Sequence, residues 1–291
     1  MPAPGLHIGE SVRGTRPADG VTVWPLGNAG VLLADAAGRR IAIDPWTSGW
    51  LESPSAANPE PVVRQRPARL GSEELAGLVD AVLVTHEHPD HLDPGLVDAV
   101  TAAGIPVHLP RGCLATARSW GYPASALRPV EAGEVVDVGG FEVTAVPAAH
   151  AFAGHGYGSY TEWRDDEGHH RALGYVVRSG GRVLFHGGDT VMWRGLAERL
   201  RAEGVDTCLL PINGRDWLRE EQGLVGNLTA RESADLAAAC GAEVVIPVHF
   251  DGVVGNTGSP GELVDHASAA HPQLSVVVPG SAGVHLPPLT G

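Results

Sequence analysis

The sequence contains no lysine; all 20 of its basic side chains are arginines. That absence excludes a Schiff-base lysine, a pyridoxal-phosphate lysine and a phosphate-binding loop that ends in Lys. Cysteine is scarce. Cys113, Cys208 and Cys240 are isolated and odd in number, with no CxxC pair, so neither a disulfide framework nor a thiolate zinc site is expected. Long apolar runs are missing as well. None approaches the roughly 18 residues of a spanning helix, and residues 1–14 lack the apolar core of a signal peptide. The expectation is a cytoplasmic protein with no membrane span. Positive charge is in deficit, 20 basic against 34 acidic residues, for a formal net charge of −14. A nucleic-acid binder must neutralise phosphates, so no nucleic-acid partner is expected. A small anionic substrate held by one or two arginines remains compatible.

What is present is an ordinary globular balance: 291 residues, 43% hydrophobic and 19% charged, enough to bury a core and to exclude intrinsic disorder. The chain reads as one domain over 1–291, with no low-complexity segment or short repeat. Short β-rich pieces at 21–26, 31–34 and 41–43 form a meander, followed by an apolar strand at 81–85. Asp93-Pro94 opens a helix to about residue 103. Strands follow at 105–109, 135–138 and 141–146, with a short helix at 112–120. Strands 173–177 and 182–185 flank the tight turn Gly180-Gly181. A helix at 190–202 precedes a strand at 205–210. Thr229-x-x-Glu232 is a capping box for a helix ending near Cys240-Gly241, Ser259-Pro260 opens another helix, and strands lie at 243–248 and 274–278. Residues 53–69 and 154–170 read as long surface loops of the kind that cover active sites. The mixture predicts helices covering two packed sheets, a layered α/β architecture.

The chemistry is concentrated in Thr85-His86-Glu87-His88-Pro89-Asp90-His91. Pro89 disfavours helix before it, so this is not the helical HExxH motif. In an extended segment His86 and His88 point to one side, and a turn at Pro89 brings Asp90 and His91 to the same cavity. Imidazoles with a carboxylate suit borderline divalent metals. Further ligands follow other strands: His150, Asp189 after Gly187-Gly188, and His249. Sites in open α/β folds form at the carboxyl ends of strands. Two such cations sharing a water lower its pKa towards neutrality, and the hydroxide attacks a carbonyl or phosphorus. Asp90 is the candidate to orient that nucleophile or to carry a proton towards the leaving group. Arg215 is the candidate clamp for an anionic group, set against an ion pair with Asp216. Asn28 and Asn227 are site-edge candidates set against turn and helix-start roles. His186 is read as a buried, hydrogen-bonded histidine beside the ligand Asp189. Trp46, Trp50, Trp163, Trp193 and Trp217 are read as packing residues in segments near the pocket. His155, His169 and His170 are not expected to be ligands.

The order His86-x-His88-x-Asp90-His91, His150, Gly187-Gly188-Asp189-Thr190 and His249 resembles the metallo-β-lactamase-fold hydrolase superfamily over nearly the whole chain. The resemblance implies a four-layer αββα sandwich with two divalent ions, Zn or Mn, at one edge of the sheets. It assigns His86, His88 and His150 to the first ion, Asp90, His91 and His249 to the second, and Asp189 as the bridge. Asp90 and Asp189 are then the catalytic carboxylates. His88 stands where the flavodiiron branch carries glutamate, which disfavours oxygen reduction. Within the superfamily the likeness is to the ascorbate-6-phosphate lactonase-like branch, through Trp24-Pro25-Leu26-Gly27-Asn28-Ala29-Gly30, Ile43-Asp44-Pro45, Leu210-Pro211-Ile212-Asn213-Gly214-Arg215-Asp216, Gly226-Asn227-Leu228-Thr229 and Ile246-Pro247-Val248-His249-Phe250-Asp251. It implies a hydrolase opening a lactone or cyclic ester, with Arg215, Asn213 and Asn227 at a small, anionic substrate. The alternative is a phosphodiesterase acting on a small or lipid-linked phosphodiester; a non-enzymatic member fits poorly with an intact ligand set. A homo-oligomer stays open.

Overall fold

Period-two alternation sorts the strand side chains into separate apolar layers. In β1 (Val21–Gly27), Val21 and Val23 face one core while Trp24 and Leu26 face another. In β2 (Gly30–Asp35), Val31 and Leu33 join the first core and Leu32 and Ala34 the second. The structure, a computed structural model that describes residues 7–55, 58, 61–150, 160–222 and 224–289, arranges these layers as two sheets packed face to face.

The first sheet runs in the order β16 (Val284–Leu286), β1, β2, β3 (Arg40–Ile43), β4 (Ala81–Leu83), β5 (Val107–Pro110), β6 (Leu127–Val130). Its meander half is antiparallel, and β3 to β6 are parallel. The second runs β15 (Ser275–Val276), β14 (Val244–Val248), β13 (Thr207–Pro211), β12 (Arg182–His186), β11 (Leu173–Ser179), β8 (Phe141–Pro147), β7 (Val135–Val138). Here β12 to β15 are parallel and the rest antiparallel. A short pair, β9 (Ala149–His150) and β10 (Thr161–Glu162), sits apart. Helices α1 (Gly9–Gly14), α2 (Ser72–Ala76), α3 (Val97–Ala103) and α4 (Leu114–Ser119) bury Val12, Leu75, Val100 and Ala117 against the outer face of the first sheet. Helices α5 (Leu196–Ala202), α7 (Ala230–Cys240) and α8 (Pro260–Ala270) cover the second with Leu200, Ala234 and Leu263; α6 (Trp217–Glu221) buries none of its residues. The architecture is the αββα sandwich expected. No helix among the described residues is long and apolar enough to cross a membrane.

Three expectations shift. The helix expected over 190–202 begins only at Leu196, after Gly195 in the left-handed region (φ 97°). Thr190 and Val191 do other work: Thr190 Oγ1 accepts from Ala149 N, and Val191 N donates to Ala149 O, pinning the loop beside Asp189 to β9. The last parallel strand is Ser275–Val276, shorter than 274–278. Strand β6 goes unpredicted because it contains Pro129, which the sheet tolerates here at its edge. The cysteines are free and buried, and Cys208 and Cys240 lie with sulfurs 3.7 Å apart.

Candidate metal centre

Strand β4 is the apolar lead-in, and the ligand motif begins two residues beyond it. His91 N and Leu92 N both donate to His88 O, closing the turn that Pro89 predicts. Glu87 lies on the side opposite His86 and His88, where it accepts from Thr116 Oγ1 and pairs with Arg171. His86 Nε2 and His150 Nε2 lie 2.9 and 3.2 Å from His88 Nδ1, so three imidazoles converge on one point. On the other side, Asp90 Oδ2 lies 3.6 Å from His91 Nε2 and 3.5 Å from His249 Nε2. Asp189 stands between the groups. Its Oδ1 is 3.3 Å from His91 Nε2 and 3.4 Å from His249 Nε2, and its Oδ2 is 3.8 Å from His150 Nε2.

The donor atoms form two close sets, His86/His88/His150/Asp189 and Asp90/His91/His249. Separations of this size are what donors around a common cation require, given bonds of about 2.0–2.2 Å to each. Two buried atoms support the fit: His91 Nε2 and Asp189 Oδ1 have no hydrogen-bond partner among the described residues, yet face each other. Leaving both unsatisfied would cost several kcal/mol. A divalent ion satisfies both, so the residues present fit a metal.

Electrostatics separate the two sets. Burial pushes the His150 imidazole down to about 3 and His86 well below its ordinary value. Burial also opposes charge on His249, but Asp189 and Asp90 outweigh it and hold the ring at about 9. His91 is raised well above its ordinary value in the same way, burial being outweighed by Asp189, Asp90 and Asp44. Conversely, His249 and His91 overcome burial to keep the Asp189 carboxyl well below the usual range. Without metal, then, His91 and His249 carry protons at neutral pH. Ligand nitrogens must be bare, so metal loading at pH 7 is expected to release about two protons. Affinity should rise with pH above 7, and the His249 part of that rise ends near pH 9, where its ring is already neutral. Calorimetry in two buffers of different ionisation enthalpy reads this directly; zero proton release would contradict it.

The supporting shell is strained. The non-glycine residues with positive φ among those described are Asn28 (52°), Asp44 (49°) and His249 (53°), and all three meet the centre. Such strain gathers at functional sites. Asn28, in the β1–β2 turn, donates from Nδ2 to Asp90 Oδ2 (2.9 Å), and its carbonyl accepts from His249 N (2.8 Å). It thus fills both the turn and the site-edge roles. Asp44, fully buried after β3, accepts from Thr85 N (2.7 Å), Thr85 Oγ1 (2.6 Å) and His91 Nδ1 (2.8 Å). This turns His91 Nε2 towards Asp189. In the sequence Asp44 stands within Ile43-Asp44-Pro45, and a carboxylate directly after an apolar strand is the signal that marks it. His186 is buried and hydrogen-bonded, as expected, between Ala29 O and Gly188 N. A side chain on Gly188 (φ 58°) would collide with Thr85 at 2.6 Å, so the residue before Asp189 must be glycine.

The remaining candidates divide. Trp163 packs against the rings of His86, His88 and His150, whereas Trp217 is exposed. Trp46 lies under Arg64, Trp50 against Trp120, and Trp193 against the core under α5. His169 and His170 pair with Asp165 and Glu131, away from the donor sets; His155 lies outside the described residues. Arg215 is not placed as a substrate clamp. Its Nη1 and Nη2 donate to the two oxygens of Glu232 (2.6 and 2.7 Å), and Nη1 also donates to Asn227 O. Nor does it pair with Asp216, which Arg219 takes. Asn213 and Asn227 are buried, with Asn227 Nδ2 donating to Asn213 Oδ1 and Asn213 Nδ2 to Asn256 Oδ1. Asn256 is the residue of this amide chain that lines the cavity. Its Oδ1 is taken by Asn213 and by Arg219 Nη1. Among the described residues no hydrogen bond engages its Nδ2.

That cavity, about 280 Å³, is lined by His88, Asp90, Asp189 and His249 together with Val62, Val253 and Asn256. A larger cleft of about 550 Å³, lined by residues 47–49, 52 and 62–68, adjoins it at Val62.

Fold and donor set together define a metal-dependent hydrolase of the metallo-β-lactamase fold. Residues 39–250 match the model of the β-lactamase superfamily domain, and the chain belongs to that superfamily. It is 26% identical over 279 residues to the probable L-ascorbate-6-phosphate lactonase UlaG of Escherichia coli, covering 86% of this chain and 75% of that protein. Among solved structures it is similar to a possible metal-dependent hydrolase from Veillonella parvula, at TM-score 0.68 and 17% identity over 92% of this chain and all of that one. It is also similar to Igni18, a metallo hydrolase from Ignicoccus hospitalis, at TM-score 0.61 and 18% identity over 92% and 95% of the two chains.

Proposed function

We propose that this chain is a two-metal hydrolase that opens a lactone or related cyclic ester on a small, anionic molecule. One observation carries the two-metal part: the oxygens of Asp189 face separate imidazole sets at the wall of one small cavity. The likeness to a lactonase supports the bond type. Bound divalent ions, Zn or Mn, supply an activated water and a Lewis acid for the attacked oxygen.

The chain's own residues do the rest. His86, His88, His150, Asp90, His91 and His249 would hold the ions, with Asp189 placed between the two sets. Asp90 accepts from Asn28 Nδ2, and as a metal ligand it would be a bare carboxylate, so it orients water as an acceptor. Asn256 Nδ2 donates to a substrate oxygen. Asn227 and Asn213 position that amide from behind. Arg215 braces the Asn227 segment through Glu232. Arg66, exposed and lining the adjoining cleft, is the better-placed arginine for an anionic group.

The test is acid release from ascorbate 6-phosphate by metal-loaded protein. Metal-dependent release is expected, with KM raised about tenfold in Asn256→Ala and in Arg66→Ala, a loss of about 1.4 kcal/mol each. Arg215→Ala should lower thermal stability without raising KM. No release from protein shown to hold its metals would overturn the lactone reading and send the phosphodiester alternative to bis(p-nitrophenyl) phosphate.

A further inference from the structure

A second group of metal-type donors lies on the opposite side of the second sheet from the inter-sheet core. Helices α7 and α8 pack there side by side over Ala234, Ala237, Leu263 and Ala267. Their exposed edges are matched turn by turn. Arg231 pairs with Glu262 at 3.0 Å, and one turn further along each helix Asp235 meets His266. His271, the residue closing α8, adds a third group. It leaves helical geometry (φ −135°, ψ 64°) while its N still bonds to Ala267 O, and its ring turns back to the same carboxylate. Asp235 Oδ1 thus lies 2.8 Å from His266 Nε2 and 2.7 Å from His271 Nε2, with the two rings nearly perpendicular at 79°.

We propose that Asp235, His266 and His271 form a peripheral site for a zinc-class divalent ion, clamping the end of α8 to α7. The ligand atoms already lie within 4.8 Å of one another. Bonds of about 2.0–2.2 Å in a tetrahedron separate donors by roughly 3.4 Å, so the carboxylate need retreat by less than about 1 Å. Two imidazoles with one carboxylate select zinc, nickel or copper over magnesium or calcium. The ligand side chains are 51%, 23% and 27% exposed, which leaves a coordination position to water and an open path for the ion. Two of the ligands sit on packed helices and the third on a helix cap, which favours a fixed geometry. None of the three belongs to the central donor sets, so the site is independent of the hydrolytic reading.

The experiment is a Zn²⁺ titration of the metal-loaded full chain, read by native mass spectrometry and thermal melting, beside Asp235→Asn and His271→Ala. Wild type should take up one more zinc per chain than either variant, and zinc should raise its melting temperature further. Asparagine keeps an oxygen for both imidazoles, so Asp235→Asn should match wild type in melting temperature without added zinc. Its peripheral zinc affinity should fall at least about tenfold. Hydrolytic activity should be unchanged in both variants. Equal zinc stoichiometry and equal zinc-induced stabilisation in wild type and Asp235→Asn would overturn the proposal and leave the cluster as a pair of histidine–carboxylate hydrogen bonds.

Discussion

Replacing Asp189 by alanine is expected to lower kcat/KM for metal-dependent hydrolysis by at least about a thousandfold while leaving the fold in place. The size follows from its position. Asp90 reaches only His91 and His249, but Asp189 faces those two through Oδ1 and His150 through Oδ2. Its loss withdraws a donor from both sets at once. The fold survives because Asp189 lies on a loop whose backbone is fastened independently. Gly187 N bonds to Leu209 O, Gly188 N to His186 Nδ1, and Thr190 O accepts from Leu228 N. The check is turnover together with metal content and circular dichroism on metal-replete protein. Near-normal turnover would refute the two-metal mechanism.

Asp44→Asn should weaken metal affinity by about 10–100-fold, because Asp44 is the carboxylate that fixes the His91 ring from behind. Asparagine tolerates the left-handed backbone of this position and keeps an oxygen for Thr85, so folding should persist. Asp44→Ala is a different case. It strands Thr85 N and leaves Thr85 Oγ1 and His91 Nδ1 only each other and His86 Nδ1 in a site with no solvent access, and should cost about 2–4 kcal/mol of stability. Metal titration of the Asn variant and denaturant unfolding of the Ala variant separate the two effects. Unchanged metal affinity in Asp44→Asn would remove Asp44 from the site.

Much of this molecule was legible from local pattern. The cap at Thr229 and Glu232 forms as a reciprocal pair of bonds, and Ser259 accepts from Glu262 N at the start of α8. Such signals act within four residues, so they read directly from the chain. The short β-rich pieces of the meander were legible in the same way, and they form β1, β2 and β3. The metal donors were visible because each follows a strand whose apolar run is itself a signal. Where local reading failed, a distant partner had taken over. Gly195 and the bonds of Thr190 to β9 shorten α5 from its expected start.

Arg215 shows the boundary most clearly. Its neighbour Asp216 was the natural partner along the chain, yet Glu232 takes the guanidinium while also capping α7. One carboxylate serves both, a choice invisible until α7 is placed beside the loop. The sequence by itself determined the donor inventory, the absence of lysine and thiolate chemistry, and the succession of short strands and capped helices, because these depend on residue type and on signals a few residues apart. Only the tertiary structure decided that Asp44 and Asn28 hold His91 and Asp90, and that Asn256 lines the cavity beside the donors. Those relations join residues tens to more than a hundred positions apart, and packing of the two sheets is what brings them together.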